Sequence, residues 1–372
     1  MPDQHAFLSA SSSARWIACP PSAKLNTNTG GRTSEYAIQG TCAHALCEFK
    51  LKRALGIRVR DPTEDLDCYD QEMEDCADGY VAYVLEQVQK EKETCSDPTV
   101  LVEQRLDLSR WIPESFGTAD ALVVGDETLT IIDMKYGTGI KVEGSSPQLR
   151  CYALGCVSMF DGIYDIHNVR MVIYQPRLGH ISECDMTKDD LLSWAEEVLV
   201  PAAKLAFVGE GDFKAGDHCQ FCSVKANCRK RTEYNLELAR YDFAMPATLE
   251  DAEIEVILPR LDQLISWASD LKDFALKKAL SGKKWSGFKL VAGRANRKYS
   301  NEAAVAAAVE AAGYDPFEKK LMGITAMTSL LGRKKFDELL GGLVERPQGK
   351  PTLVPQNDKR PELNSAAEDF KD

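Results

Sequence analysis

The chain has no long hydrophobic run. None of its apolar stretches reaches the roughly 20 residues that a bilayer-spanning helix needs, and the opening residues Met-Pro-Asp-Gln-His lack the apolar core of a signal peptide. Glycine-rich phosphate loops and internal repeats are also missing, which excludes a nucleotide-driven motor within this chain. Twelve cysteines without an export signal indicate a reducing compartment, where thiols pack or bind metal. We therefore expect a cytoplasmic protein with no membrane partner.

The chain has fewer basic than acidic residues. Lys and Arg number 45 against 57 Asp and Glu, a net charge of −12, which is a poor match to a polyanion. Residues 61–78 carry nine acidic and no basic side chains and predict a solvated surface. Basic residues concentrate in 283–298 with aromatics between them, which suits either phosphate contacts and base stacking or a β-hairpin that packs a small domain. The candidate nucleic-acid contacts are Lys284, Lys289, Arg294, Arg297 and Lys298.

Two carboxylates lie on or next to two predicted strands. Asp133 and Lys135 lie two apart at the end of the apolar run 129–134, so a strand directs both to one side. Asp120 precedes the run 121–124, and the turn between the runs suits a hairpin that brings Asp120 close to Asp133. Two adjacent carboxylates require a cation, and a nearby lysine can orient water. Each motif alone is more typical of a turn or a surface ion pair, but together they suit metal-assisted phosphodiester hydrolysis.

An upstream helix adds a histidine. Residues 40–51 predict a helix on which His44 and Glu48 share one face. His44 is either a core residue or a third ligand for the carboxylate pair. Glu48 either supports the site or faces solvent.

These residues, in this order, resemble the RecB-like branch of the PD-(D/E)xK nucleases. The matching set is His44, a Gly-x-x-Asp ending at Asp120, Asp133-x-Lys135, and Gln148-x-x-x-Tyr152. The Ser-x-Ser…Cys-Pro opening is similar to the start of AddB-type and CRISPR-associated RecB-like members. The resemblance covers about residues 6–232. The whole chain is similar to an uncharacterised phage and prophage family of this type, through the segment at residues 287–298.

The resemblance implies a fold and a chemistry. The fold is α/β, a restriction-endonuclease-like mixed sheet flanked by helices. The implied activity is that of a metal-dependent DNA exonuclease in phage or prophage recombination or end processing, and a catalytically weak DNA-binding or assembly protein of the same fold is the alternative. Mg²⁺ or Mn²⁺ would be held by His44, Asp120, Asp133 and the main-chain carbonyl of Met134. Lys135 would position and deprotonate the attacking water, while Gln148 and Tyr152 would hold the DNA.

Further expectations concern partners and a fifth acidic residue. The implied partners are DNA, a phage single-strand annealing or recombination protein, and a second copy of the chain in a homo-oligomer. The compartment is the cytoplasm of a bacterium or of a phage-infected host. Glu103, on a strand predicted at 99–108, either supports the metal site as similar residues do in relatives or pairs with Arg105.

Clustered cysteines form a second constellation. Cys219, Cys222 and Cys228 are closely spaced, and Cys19 in its Cys-Pro context is the natural fourth ligand. Four cysteines suit zinc or an iron–sulfur cluster. One distant cysteine plus a clustered trio is the pattern of the [4Fe–4S] cluster in RecB-like nucleases, so the resemblance favours that cofactor over zinc. Such a four-cysteine centre would clip the start of the core to its end.

Composition predicts three regions. Residues 1–232 form the nuclease core with the four-cysteine metal cluster, 233–345 a smaller, mainly helical C-terminal domain with the basic and aromatic segment, and 346–372 an extended tail. Helices are also predicted at 12–25, 70–93, 146–160 and 188–208.

Overall fold

The computed structural model describes residues 6–27, 35–160, 162–238, 249–291, 301–311, 315–317 and 321–344. Its centre is a five-stranded mixed sheet with the strands in sequence order. The strands are β1 (Thr99–Asp107), β2 (Phe116–Val124), β3 (Thr128–Met134), β4 (Asn168–Gln175) and β5 (His180–Thr187). Only the β3–β4 pair is parallel, because the helix that follows β3 carries the chain back across the sheet.

Helices flank this sheet, as the sequence predicts. Those of the first compact unit, Met1–Lys278, are α1 (Ser13–Ala18), α2 (Ser22–Leu25), α3 (Glu35–Ala54), α4 (Gln71–Glu91), α5 (Pro147–Phe160), α6 (Lys188–Trp194), α7 (Val200–Val208) and α8 (Arg229–Leu236). The long helix α9 (Asp251–Leu280) also belongs to this unit except for its last two residues. The second unit, Ala279–Asp372, contains α10 (Glu302–Ala311), α11 (Ile324–Leu331) and α12 (Arg333–Leu340). None of the helices described is long and apolar enough to cross a bilayer.

Strand alternation builds a separate core on each face of the sheet. Leu122, Ile131 and Met171 pack with the buried face of α5. Their neighbours Ala121 and Ile132 point the other way and pack against α3 and α4. Each fully buried aliphatic side chain contributes about 1.5–3 kcal/mol. The two faces therefore fix α5 above the sheet and α3 with α4 below it.

Two helices predicted as continuous are interrupted, and proline explains both interruptions. The helix expected over 12–25 ends at Ala18 and restarts at Ser22, because Cys19 is followed by two prolines that disfavour helical geometry before them. The helix expected over 188–208 passes through a π-helical turn, Ala195–Leu199, just before Pro201. Proline has no N–H for the carbonyl four residues back, so the ladder shifts register there.

Candidate metal centre and cysteine cavity

The two predicted carboxylates meet where two strands separate. β2 and β3 pair from Val124–Leu129 to Ala121–Ile132, and no further pair forms beyond that point. Asp120 and Asp133 are the next residues on each strand. The gap in the sheet lets side chains from both helical layers reach them. We call this place the strand fork.

His44 reaches the strand fork from α3. Its Nδ1 lies 3.3 Å from Oδ1 of Asp120. The other oxygen of Asp120, Oδ2, accepts a 2.7 Å hydrogen bond from the backbone N–H of Met134. That bond fixes the carboxylate and leaves Oδ1 facing the imidazole. The ligand role predicted for the Met134 carbonyl stays a prediction.

Each carboxylate oxygen of Asp133 has a partner. Lys135 places Nζ 2.8 Å from Oδ2 of Asp133, and Gln148 on α5 donates from Nε2 to Oδ1 at 3.2 Å. The same amide donates to the hydroxyl of Tyr152 at 3.1 Å. The helical spacing of four residues therefore joins Gln148 and Tyr152 at the carboxylate, where the sequence expects them.

Gly117 connects the Gly-x-x-Asp motif to Tyr152. A Cβ at this position would lie 2.6 Å from Cε1 of the Tyr152 ring, nearer than side chains approach one another. The glycine is therefore required because the ring lies directly on the backbone that leads to Asp120.

Glu103 lies at the metal site, which was one of the two positions expected for it from the sequence. It stands opposite Asp120, between the pairs Val102–Ala121 and Gln104–Ala119, with a left-handed φ of 52°. Such backbone strain in a non-glycine residue concentrates at functional sites. The alternative partner, Arg105, instead lies over the Phe116 ring at 3.8 Å.

The charges at the strand fork are strongly coupled. Burial lowers the pKa of His44, but the charge and hydrogen bond of Asp120 outweigh burial and raise that pKa to about 9. Burial and then the charge of Asp120 raise the pKa of Glu103 to about 7. Burial raises the pKa of Asp133 despite Lys135. Burial lowers the pKa of Lys135, yet Asp133 and Asp120 outweigh it, so the pKa lies above its ordinary value.

The donor set fits a hard divalent cation. Ligand atoms of His44, Glu103 and Asp120 all lie within 4.8 Å of one another, and no other set of three among the described residues meets this criterion. Two ligands at about 2.1–2.2 Å from one ion in near-octahedral geometry are about 3.0–3.1 Å apart. The 3.3 Å between His44 and Asp120 is slightly longer than that spacing.

Access to the site is one-sided. The side chains of His44 and Lys135 are 33% and 27% exposed, whereas that of Asp133 is 3% exposed. Glu48 is half-buried and binds Lys52 at 2.5 Å on α3, and its charge also helps to raise the pKa of Glu103. Both alternatives expected for Glu48 therefore stay open. The strand fork is open to a substrate from the His44 and Lys135 side.

Only part of the basic segment lies in the described chain. Lys284 and Lys289 are exposed, and Lys283 places Nζ 5.6 Å from the Trp285 ring. Residues 281–291 contain no strand, so the described half of the segment is not the β-hairpin that the sequence allowed. Arg294, Arg297 and Lys298 lie outside the described residues.

The four predicted cysteine ligands line one cavity. Cys19 comes from the end of α1, and Cys219, Cys222 and Cys228 come from the loop before α8. The loop is anchored to the start of the chain, because Ser223 donates two hydrogen bonds there. Its backbone N–H donates to Oδ1 of Asn26 (2.7 Å) and its hydroxyl to the carbonyl of Leu25 (2.9 Å). Contacts between residues almost 200 apart in sequence therefore create the cavity.

The sulfur atoms in this cavity are not tightly gathered. No three of the four fall within 4.8 Å of one another, since the one such ligand set in the described chain is at the strand fork. A tetrahedral zinc with bonds of about 2.3 Å would hold its sulfurs about 3.8 Å apart. The spacing is wider than that of a preformed zinc site.

The chain belongs to the family described as "Protein of unknown function (DUF2800)", whose model matches residues 5–361. It is also similar to a solved structure described as the crystal structure of SSO0001, at 15% identity. That match covers 52% of this chain and 98% of the other, with a TM-score of 0.24.

The contact at Gly117 predicts a stability effect. Gly117→Ala should lower the free energy of unfolding by about 1–3 kcal/mol, because the added methyl group must displace the Tyr152 ring. Urea unfolding measures the change. Gly137→Ala is the control, since a Cβ there meets nothing within 4 Å. Equal stability of the Gly117 variant and the wild type would contradict the contact.

The raised pKa of His44 predicts a pH effect in metal-free protein. The unfolded value is about 6.5 and the folded value about 9, so the charged pair with Asp120 stabilises fully below pH 6.5 and is lost as pH rises through 9. Allowing for the exposed third of the ring, we expect a loss of about 1–2 kcal/mol between pH 6.5 and 9.5.

Urea unfolding in EDTA checks this effect. His44→Asn should remove the loss, whereas His167→Asn, at an exposed histidine beside Asp165, should retain it. The same pH dependence in the His44 variant and the wild type would show that another group titrates.

Proposed function

We propose that this protein is a divalent-metal-dependent deoxyribonuclease. The single observation that carries the proposal is the strand fork, where ligand atoms of His44, Glu103 and Asp120 lie within 4.8 Å of one another. The buried Asp133, paired with Lys135, lies close enough for its charge to act on the pKa of His44. Three acidic groups against two basic ones leave a net negative site that a divalent cation would balance. Phosphodiester hydrolysis uses this combination, because the reacting phosphate is itself an anion that needs a positive partner.

The residues have separable roles. Asp120, His44 and Asp133 would hold Mg²⁺ or Mn²⁺, with Glu103 as a further oxygen ligand and the Met134 carbonyl in the role expected from the resemblance. The ion, when bound, supplies Lewis-acid stabilisation of the negative charge that grows on the phosphate oxygens. The N–H of Met134 keeps Asp120 oriented throughout, since it occupies the oxygen that faces away from His44.

Lys135 acts first as a positive charge. Its pKa is raised beside Asp133 and Asp120, so it is protonated in the metal-free site. A protonated amine donates hydrogen bonds and orients the water or the phosphate. It can accept a proton from the water only once the two carboxylates are neutralised by another cation.

Gln148 and Tyr152 would hold the strand beside the site. The amide of Gln148 already spans from Asp133 to the Tyr152 hydroxyl, so both groups are fixed before substrate arrives. Exposed Lys284 and Lys289 supply candidate phosphate contacts in the second unit. Such contacts would offset the unfavourable net charge of the chain.

The finer assignment rests on the ordered motifs. We propose a restriction-endonuclease-like core of the RecB-like type that acts as an exonuclease in phage or prophage DNA recombination or end processing. A single-strand annealing or recombination protein and a second copy of the chain are the proposed partners, in the cytoplasm of the bacterium or infected host. The smaller helical C-terminal domain would bind DNA.

We further propose that Cys19, Cys219, Cys222 and Cys228 hold a [4Fe–4S] cluster. The wide sulfur spacing supports this choice over zinc, because a cluster with iron at four corners separates its thiolates more than one metal ion does. Arg15 lies close enough for the charges of Cys222 and Cys19 to act on its pKa, which burial lowers. A positive neighbour favours the thiolates that bind metal.

Loss of a carboxylate or of the lysine should abolish cleavage. We expect Asp133→Asn and Lys135→Ala to lower the rate of Mn²⁺-dependent cleavage of end-labelled linear DNA by at least about 100-fold. The first weakens the hold on the metal ion, and the second removes a positive charge beside the reacting phosphate. Time courses on duplex and single-stranded DNA with Mg²⁺ or Mn²⁺ measure the rates.

Asp126→Asn provides a matched control at the opposite end of the same hairpin. This exposed aspartate should tolerate the change with less than about a twofold effect, as surface substitutions away from a site usually do. Undiminished cleavage by Asp133→Asn would rule out the site. DNA binding without cleavage in the wild type would favour the assembly-protein alternative.

The cysteine cavity predicts a coloured protein. Anaerobically purified protein should be brown, with about four iron atoms per chain. Cys222→Ser should lose the colour and the iron. It should also melt at a lower temperature, because the cluster would connect distant parts of the core. Cys184 lies outside the cavity, so Cys184→Ser should keep the colour and the iron. One zinc atom and no iron per chain would contradict the cluster.

A further inference from the structure

Two cysteines outside the four-sulfur cavity are in close contact. The thiol of Cys68 donates to Sγ of Cys42, and the two sulfur atoms are 2.6 Å apart. A disulfide bond is about 2.05 Å long, so about half an ångström separates this contact from bonding distance. Both residues are free thiols in the structure.

The pair joins two different segments of the chain. Cys42 is buried in α3, two residues before His44, and Cys68 is half-buried in the segment 55–70 that connects α3 to α4. The residues are 26 apart in sequence, so a covalent bond between them would close a loop around the acidic stretch. A low-molecular-weight disulfide can approach the more exposed sulfur, that of Cys68.

We propose that Cys42 and Cys68 form a redox-sensitive dithiol that oxidises to an intramolecular disulfide. With glutathione disulfide as oxidant, the Cys68 thiolate attacks one glutathione sulfur and releases one glutathione thiolate. The Cys42 thiolate then attacks Cys68 in the mixed disulfide and releases the second glutathione. The protein loses two protons and two electrons, and the oxidant is reduced to two thiols.

The surroundings of Cys68 make this exchange slow in both directions. The hydrogen bond with Cys42, then burial, and the nearby charges of Asp67 and Asp70 raise the pKa of Cys68 to about 11. A small thiolate fraction slows attack on the oxidant. Because the same surroundings disfavour the Cys68 thiolate that reduction would release, the disulfide resists reduction once formed.

We expect the disulfide to hold α3 and the segment 55–70 in their present arrangement. Because the sulfur atoms need to move by only about half an ångström, the bond forms without rearranging α3. It restrains the unfolded chain and ties the helix that carries His44 to the segment before α4. This inference does not depend on the proposed nuclease activity.

Peptide mapping of the full-length chain tests the proposal. After anaerobic incubation with glutathione disulfide and alkylation of the remaining thiols, we expect tryptic peptides 33–50 and 61–90 to be joined, with the mass of two hydrogens lost. The melting temperature should rise by roughly 4–10 °C.

Serine variants identify the sulfurs, because each tryptic peptide contains two cysteines. Cys42→Ser and Cys68→Ser should each lose both the joined peptides and the oxidant-dependent rise in melting temperature. Cys47→Ser and Cys76→Ser, in the same two peptides, should keep both. Separate glutathione or alkyl adducts on Cys42 and Cys68, or joined peptides that persist in Cys68→Ser, would overturn the proposal.

Discussion

Two carboxylates that the sheet holds together, those of Asp120 and Asp133, are the constraint on which the site depends. They follow the last residues paired between β2 and β3, so neither can move away without disturbing two buried strands. Their negative charge explains the raised pKa values of His44 and Lys135 and the hydrogen bonds from Met134 and Gln148. Groups from both helical layers compensate that charge, and the separation of the strands lets them reach it.

Much of this arrangement was predictable from sequence because it rests on local rules. Strand alternation places Asp133 and Lys135 on one side, and the turn at Gly125 brings Asp120 to the same end of the hairpin. The helical repeat then sets Gln148 and Tyr152 four residues apart at Asp133. His44 needed the added knowledge of motif order, since no local rule states which strand its helix will contact.

Other features depend on tertiary contacts that residue patterns do not encode. Glu103 lies in an ordinary strand pattern, and the resemblance left it either at the metal site or paired with Arg105. Its left-handed backbone opposite Asp120 and its closeness to His44 and Asp120 place it at the site. The requirement for glycine at 117 arises from the Tyr152 ring, 35 residues later. The cysteine cavity likewise depends on Asn26 and Leu25 anchoring a loop near residue 223. Sequence spacing suggested the four cysteines of the cavity, whereas the wide separation of their sulfur atoms follows only from the folded structure.

The two proposed metal sites differ in ligand type, because the strand fork offers oxygen and nitrogen atoms and the cysteine cavity offers sulfur. Anomalous scattering from Mn²⁺ in crystals of the full chain is the most direct measurement of metal binding at the strand fork. We predict one peak within about 2.0–2.3 Å of Nδ1 of His44 and of carboxylate oxygens of Glu103 and Asp120, which already lie within 4.8 Å of one another, with Asp133 as the further ligand expected from the resemblance. No peak there at saturating Mn²⁺, with those side chains ordered, would contradict a metal-dependent hydrolase.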